Sequence, residues 1–166
     1  MSAAVSSSFE ISRLFSAANM NLNLHSAWRE AVLSDLIECI PGISRNDALK
    51  QQLLRALAER EKLSCTAIGR GIAIPHTRST IAGFAGRSLI VFGRHLEGVK
   101  YCADSPDPVF LFFLLLAPDI NQHLQTLARL SRLLRDDELR QELLSVKSPD
   151  AVIEVVANAE NRVQQQ

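Results

Sequence analysis

The run VFLFFLLL at residues 109–116 is apolar at every position, and Pro118 follows shortly after it. It is far shorter than the roughly 20 residues that a membrane-spanning helix needs. A short apolar run with no polar face is typical of a central strand that is buried on both sides. Helices must then cover both faces of the sheet. The sequence therefore predicts an α/β fold, a mixed-sheet sandwich with helices on both faces.

Periodicity and capping residues predict the other elements around this strand. Residues 9–18 have a weak helical spacing, and further strands are expected at residues 20–24, 72–74, 88–93 and 98–102. Helices are expected from Ser26 to a stop at Pro41-Gly42, from a capping pair of Ser44 and Asp47 to residue 63, from Asp119 or Asn121 to residue 134, from Asp136 to residue 144, and from Ser148 onward. The pattern contains no internal repeat and predicts one domain.

The composition excludes several classes of function. Among 166 residues, 18 basic side chains balance 18 acidic ones, so the bulk charge predicts neither nucleic-acid binding nor membrane attachment. The N-terminus has no secretory pattern, and no run is long enough to insert into a membrane. The three cysteines form no CxxC pair, which favours reduced thiols in a cytoplasmic protein over a disulfide framework.

A second stretch, residues 59–78 with the sequence EREKLSCTAIGRGIAIPHTR, concentrates unusual features. Gly69 and Gly71 permit backbone angles or close approaches that a side chain forbids. Pro75 restricts the residue before it to an extended conformation, so the chain reaches His76 as a stiff strand. A histidine held in this way is a candidate for chemistry; the alternative is a buried histidine hydrogen-bonded to a neighbour such as Thr77.

His123 is the second candidate, because it should lie in the first turn of a helix. Free backbone N–H groups and the positive end of the helix dipole keep an imidazole neutral there and attract anions. If the end of the central strand lies beside the end of the strand before Pro75, the rings of His76 and His123 meet. The alternative is an exposed histidine at a helix terminus. We expect His25 and His95 to lie at the surface, His95 in a loop.

Other kinds of site receive little support. The spacings of the histidines match no helical metal motif and no carboxylate completes one, so neither a metal nor another cofactor is expected. The glycines match neither nucleotide-binding pattern. Cys65 is a conceivable nucleophile with His76 as its base, but a buried structural thiol is the simpler interpretation.

The run REKLSCTAIGRGIAIPH at residues 60–76 closely resembles the signature of the mannitol/fructose class of IIA proteins from the bacterial phosphotransferase system. The typical form of this family has REK, then a Ser or Thr, then GIGxGIAIPH, and the run is most similar to the nitrogen-regulatory IIA members. The resemblance extends over roughly residues 11–157. It implies a flexible leader at residues 1–10, a single IIA-like phosphoacceptor domain at 11–157 and a frayed tail at 158–166.

The resemblance also implies roles for individual residues. His76 is similar to the phosphorylated histidine, His123 to a second histidine beside it, and Arg60 to an arginine that lines the site. The resemblance places Gly69, Gly71 and Thr77 around the phosphate, and Arg70, between the two glycines, would add positive charge near it. The chain departs from the family at Thr77 and Ala67, where glycine is usual, and this bears on the choice of partner more than on phosphoryl acceptance.

Three hypotheses of function follow. The first is a phosphoryl relay protein of the nitrogen-regulatory kind, phosphorylated by a phosphohistidine carrier and controlling target proteins through its phosphorylation state. The absence of an attached transporter or carrier domain favours this hypothesis over the second, a sugar-specific IIA component that passes phosphate to a IIB domain. The third is a cysteine-dependent enzyme that uses Cys65.

Overall fold

The computed structural model describes residues 9–79 and 86–166. Within these residues, five strands form one sheet in the order β1-β4-β5-β3-β2. Their bounds are Phe15–Asn21 for β1, Ala67–Gly69 for β2, Ile72–Ala73 for β3, Leu89–Lys100 for β4 and Pro108–Leu116 for β5. The sheet is mixed, because β5 pairs parallel with β3 and antiparallel with β4.

The central position and double burial predicted for residues 109–116 are confirmed. Alternate side chains of β5 point to opposite faces of the sheet. Phe112, Leu114 and Leu116 enter one hydrophobic core, and Leu111, Phe113 and Leu115 enter a second core on the other face. Strand β5 therefore joins the two layers of the sandwich.

In the part of the chain that the structure describes, six α-helices cover the two faces. They are α1 (Arg29–Glu38), α2 (Pro41–Ser44), α3 (Asp47–Leu63), α4 (Ile120–Leu133), α5 (Asp137–Ser145) and α6 (Pro149–Gln164). The first core is lined by α1, α2 and α3, and the second by α4, α5 and α6. The predicted fold class, a mixed-sheet sandwich with helices on both faces, is confirmed.

Two predicted strand boundaries are wrong. The segments 88–93 and 98–102 belong largely to one strand, β4, which continues through an irregularity in its pairing with β5 between Arg94 and Val99. Gly98 has φ +81° there, and a Cβ at this position would meet the ring of Phe110, so the residue fits a bulge. The sequence instead predicts that a new strand starts at this glycine. The first strand covers residues 15–21, whereas the alternation of Asn with apolar residues predicted 20–24.

The predicted N-caps are correct for the last three helices and wrong for the first two. Asp119, Asp136 and Ser148 each accept a backbone N–H of the helix that follows. The N-cap of α1 is Trp28, while Ser26 Oγ donates instead to Asp35. Asn46 caps α3 in place of Ser44, and Pro41 begins the short helix α2 rather than only ending α1.

The C-terminal segment predicted to fray is helical. Helix α6 continues to Gln164, and Ala159 is fully buried. The carboxylate of Glu160 accepts the backbone N–H groups of Ile11 and Ser12, so it joins the helix to the first described turn of the chain. Residues 1–8 of the predicted leader lie outside the described residues. No helix in the described ranges is long and apolar enough to cross a membrane.

Candidate functional site

His76 lies where two parallel strands end together. The chain leaves β3 through Ile74 and Pro75, and the carbonyl of Pro75 accepts the N–H of Leu115 at 2.9 Å. His76 itself forms an isolated parallel bridge with Leu115, near the end of β5. Since the carboxyl ends of parallel strands meet at one edge of a sheet, His76 is delivered to the same edge from which β5 leads into α4.

A backbone hydrogen bond orients the ring of His76. Its Nδ1 lies 2.7 Å from the carbonyl oxygen of Ile74. A carbonyl oxygen only accepts, so Nδ1 carries the proton and donates it. The neutral ring therefore has its lone pair on Nε2, the nitrogen available to an electrophile.

His123 lies opposite His76 in the first turn of α4. Asp119 caps that helix, and its side chain accepts the N–H of Gln122. The centroids of the two imidazole rings are 5.2 Å apart and their planes are tilted by 54°. The two histidines predicted to meet across 47 residues of sequence are thus brought together by the junction of β5 with α4.

Burial and positive charge keep both rings neutral. Burial is the main cause that lowers the pKa of His76; the hydrogen bond that Nδ1 donates to the Ile74 carbonyl opposes it, and the Arg60 guanidinium lowers the pKa further. Burial also lowers the pKa of His123, and His76 and Arg60 add to that effect. Both directions favour an uncharged imidazole at neutral pH.

Arg60 is positioned at the C-terminal turn of α3. Its Nη1 donates to the carbonyl oxygen of Ser64 at 2.6 Å, which satisfies an acceptor at the end of the helix. Its positive charge lowers the pKa of both His76 and His123, so Arg60 acts electrostatically on the two rings.

A buried carboxylate that the sequence analysis missed supports this arrangement. Glu61 is buried and accepts the Thr66 N–H at 2.9 Å, the Thr66 hydroxyl, and the Tyr101 hydroxyl at 2.6 Å. It also raises the pKa of His76. The sequence does indicate this burial, because Leu53, Leu57 and Glu61 follow one another at intervals of four residues and therefore share the buried face of α3.

The structure does not bring the glycine turn to His76. The carbonyl of Gly71 accepts the N–H of Leu111, four residues before Leu115 on β5, which corresponds to roughly 13 Å of strand. The guanidinium of Arg70 bonds to Asp137 and to the Arg135 carbonyl. The prediction that Gly69, Arg70 and Gly71 line a phosphate beside His76 is therefore wrong, because β3 separates the turn from the histidine.

The two departures from the family pattern lie in different places. Thr77 follows His76 directly, is buried, and donates its hydroxyl to the Ser79 carbonyl at 2.6 Å. It therefore remains next to the site. Ala67 lies in β2 opposite Ala73.

The expectation of reduced thiols is wrong for two of the three cysteines. Cys65 and Cys102 form a disulfide with Cα atoms 5.7 Å apart and a sequence separation of 37 residues, whereas Cys39 is free. The chain turns back after α3 and again after β4, so the two residues meet without any local motif. Because the Sγ of Cys65 is bonded, it is not a nucleophile in this state, and the hypothesis of a cysteine-dependent enzyme is not supported.

No group of three or more potential metal ligands occurs within residues 9–79 and 86–166.

The remaining histidines differ from each other. His25 is exposed, as expected. His95 lies inside β4 and is buried, so its prediction as a surface loop residue is wrong. Neither ring nitrogen of His95 has a hydrogen-bond partner among the described residues. It lies far along β4 from the strand ends that carry His76.

Comparison with known proteins is consistent with this geometry. Residues 13–159 match the family described as phosphoenolpyruvate-dependent sugar phosphotransferase system, EIIA 2. A fructose-specific EIIABC component from Bacillus subtilis is 34% identical over 150 residues, which are 89% of this chain and 23% of the relative. The chain thus spans about a quarter of that relative's length.

Nitrogen regulatory proteins are similar as well. One from Bradyrhizobium diazoefficiens is 35% identical, over 65% of this chain and 70% of its own. The crystal structure of the nitrogen regulatory protein IIA-Ntr from Neisseria meningitidis superimposes with a TM-score of 0.76 at 26% identity, covering 88% of this chain and 98% of that one. The resemblance inferred from residues 60–76 is confirmed. On the match of its family, its relatives and its fold, the chain belongs to the EIIA 2 family of the phosphoenolpyruvate-dependent sugar phosphotransferase system.

Proposed function

We propose that this protein accepts a phosphoryl group on Nε2 of His76 from a phosphohistidine carrier protein, and that its phosphorylation state controls target proteins in the cytoplasm. The observation that carries the proposal is the 2.7 Å hydrogen bond between Nδ1 of His76 and the carbonyl of Ile74. It leaves the lone pair of Nε2 free and holds the ring in one orientation. The similarity to nitrogen regulatory proteins supports the regulatory role.

The transfer needs only the groups that surround His76. The lone pair of Nε2 attacks phosphorus, the bond from phosphorus to the carrier's imidazole breaks, and that imidazole leaves with the electron pair. The Nδ1 proton stays on the hydrogen bond to Ile74 throughout. When the phosphoryl group moves on, His76 can therefore leave as neutral imidazole. Such transfers depend on alignment and charge stabilisation.

Arg60 and His123 supply that stabilisation. A guanidinium has five N–H donors, and in the described part of the chain one of those of Arg60 is used, on Ser64. The others remain for oxygens of the phosphoryl group, with which arginine forms paired hydrogen bonds. His123, whose ring centroid lies 5.2 Å from that of His76, can donate another hydrogen bond to the phosphoryl group.

The rim of the site is suited to a protein partner. Ile120, three residues before His123, and Leu124, the residue after it, lie in the first turns of α4, and each is 56% exposed. Exposed apolar side chains around a polar reactive centre are typical of a protein-binding surface. We assign this rim to the phosphohistidine carrier and to the partners that recognise the phosphorylated protein.

The experiment is incubation with a phosphorylated phosphohistidine carrier, followed by measurement of acid-labile phosphate on the protein. We expect His76→Ala to abolish labelling and His25→Ala, which removes an exposed histidine elsewhere, to leave it unchanged. Labelling of His76→Ala at the level of the wild type would overturn the proposal.

A sugar-specific relay is the second candidate, because a fructose-specific component is 34% identical over most of this chain. In that role the phosphoryl group passes from His76 to a IIB domain. A pull-down that compares the wild type with His76→Ala and His76→Asp tests regulation. Equal capture of partners by all three, together with rapid transfer of phosphate to a sugar-specific IIB protein, would favour the relay.

A further inference from the structure

The disulfide between Cys65 and Cys102 lies next to the groups that position the site. Cys65 follows Ser64, whose carbonyl holds Arg60, and precedes Thr66, which donates two hydrogen bonds to Glu61. Cys102 follows Tyr101, whose hydroxyl donates to the same carboxylate. The covalent bond and the Glu61 hydrogen bonds therefore join the same two segments, one after α3 and one after β4.

Besides the disulfide, the segment after α3 is held at Thr66, which donates to Glu61 and whose carbonyl accepts the Ile74 N–H at 3.0 Å. Ser64 is exposed and Cys65 is partly exposed, and β2, which begins at Ala67, is a three-residue strand at the edge of the sheet. An edge strand of this length contributes few backbone hydrogen bonds. The bond to Cys102 is the covalent restraint on this segment, and it lies one residue from the Ser64 carbonyl that accepts the guanidinium of Arg60.

We propose that the pair Cys65–Cys102 is a redox-modification site that exchanges with dithiol reductants, and that the disulfide form accepts the phosphoryl group faster because it holds Arg60 in place. The part of this proposal that concerns the rate of phosphoryl acceptance rests on the function proposed above. The thiol exchange and its effect on the pKa values of the two histidines are independent of that function and are measurable without a carrier.

The dithiol supplies the two electrons and two protons that reduction of the disulfide requires. One thiolate of the reductant attacks Sγ of Cys65, the S–S bond breaks, and Cys102 leaves with the electron pair and takes a proton. The second thiolate then attacks the reductant's own sulfur in the mixed disulfide and releases Cys65. The protein gains two electrons and two protons, and the reductant becomes a cyclic disulfide.

Exposure favours Cys65 as the sulfur that is attacked, because Cys65 is partly exposed whereas Cys102 is 7% exposed. Cys39 does not compete. Burial, with Asp35 and Glu38, raises the pKa of its thiol, and the thiolate is the reactive form. In a reducing compartment, disulfides are usually transient and serve in catalysis or redox sensing, which fits an exchangeable pair.

The first experiment treats the native protein with dithiothreitol and counts thiols after quenching and denaturation. The oxidised chain should yield one thiol and the reduced chain three, because the protein has three cysteines and Cys39 is free. The pKa values of His76 and His123 are then followed by NMR in both forms. We expect the pKa of both rings to rise on reduction, because the charge of Arg60 moves away.

The second experiment measures labelling by the phosphorylated carrier in both forms. We expect roughly tenfold slower labelling after reduction, less than the ~10²-fold that a full misplacement of a positioning group can cost. The double variant Cys65→Ser/Cys102→Ser should resemble the reduced form and ignore dithiothreitol. Cys39→Ser should behave as the wild type. NMR spectra of the double variant check that it folds.

The outcomes separate the two proposals. A native disulfide that resists dithiothreitol, or equal histidine pKa values in both forms, would overturn the redox site. Equal rates of labelling in both forms would also overturn it, while the phosphoacceptor role of His76 would stand. No labelling in either form, with a shift in the histidine pKa values, would overturn the proposed function and leave the redox site supported.

Discussion

The imidazole rings of His76 and His123 lie 5.2 Å apart, one at the end of an extended strand segment and the other in the first turn of a helix. The junction of β5 with α4 sets this separation, because His76 pairs with Leu115 only a few residues before α4 begins. The pair therefore depends on the sheet register. A change that shifts β3 against β5 would separate the rings.

The first prediction concerns pH. Burial lowers the pKa of His76 below 6.5, so the neutral, reactive ring persists at lower pH than for an exposed histidine. The rate of labelling should stay constant as the pH falls through 6.5 and decline only below the lowered pKa. NMR titration of the ring checks this. A midpoint of the rate at or above 6.5 would contradict it.

The same shift predicts a pH dependence of stability. Between pH 6.5 and the lowered pKa of the folded protein, His76 is protonated in the unfolded chain but neutral in the folded chain. This difference in bound protons favours unfolding. The free energy of unfolding should therefore be unaffected by His76 above that pH and fall as the pH drops from 6.5 to the folded pKa. Denaturant titrations at several pH values measure it, and His76→Gln should weaken the dependence.

The third prediction concerns the guanidinium of Arg60. Arg60→Gln should raise the pKa of both His76 and His123, because a nearby positive charge is lost. Arg60→Lys keeps the charge and loses the paired donors, so the pKa values should move less while labelling slows by roughly tenfold. Equal rates for Arg60→Lys and the wild type would show that charge alone suffices.

The fourth prediction concerns His123. Replacing it with Ala removes one hydrogen-bond donor to the phosphoryl group, and such a donor is worth about 10²-fold in rate. Labelling should slow without disappearing, unlike in His76→Ala. As a control, Gln122→Ala changes the neighbouring residue in the same turn and should have a much smaller effect. Complete loss of labelling in His123→Ala would instead indicate that His123 is itself an acceptor.

The fifth prediction concerns the restraints near Glu61. Tyr101→Phe removes one hydrogen bond to a buried carboxylate and should cost about 2 kcal/mol of unfolding free energy. Cys102→Ser opens a loop of 37 residues and should cost about 4 kcal/mol by the chain-entropy estimate. Urea denaturation measures both, and the control is Cys39→Ser, which replaces the free cysteine and keeps the disulfide. A Cys102→Ser variant as stable as the wild type would contradict the structural role of the bond.

Several features followed from local sequence. The apolar run at residues 109–116 identified the central strand, and Asp119, Asp136 and Ser148 identified helix starts, because a cap acts within three residues of itself. The motif at residues 60–76 identified the family. Pro75 before His76 indicated an extended approach, which the structure has.

Other features depended on contacts between distant segments. The sequence predicts a loop at His95, whereas β4 continues past it to Lys100 through an irregularity in its pairing with β5. Arg70 reads as a neighbour of His76, yet β3 directs the two to opposite ends of the strand. In the sequence Glu61 is one of several charged residues of a helix. Its hydrogen bond with Tyr101, 40 positions along the chain, is visible only in the folded structure.

The sequence by itself determined the class of fold and the family, and it singled out His76 as the candidate for chemistry. Those depend on periodicity, turn chemistry and a contiguous motif, which are local properties of the chain. Tertiary structure alone decided the distance between His76 and His123, the burial of Glu61 and the pairing of Cys65 with Cys102. Each of these joins residues 37 or more positions apart, or an element to the core, and packing rather than propensity decides such contacts.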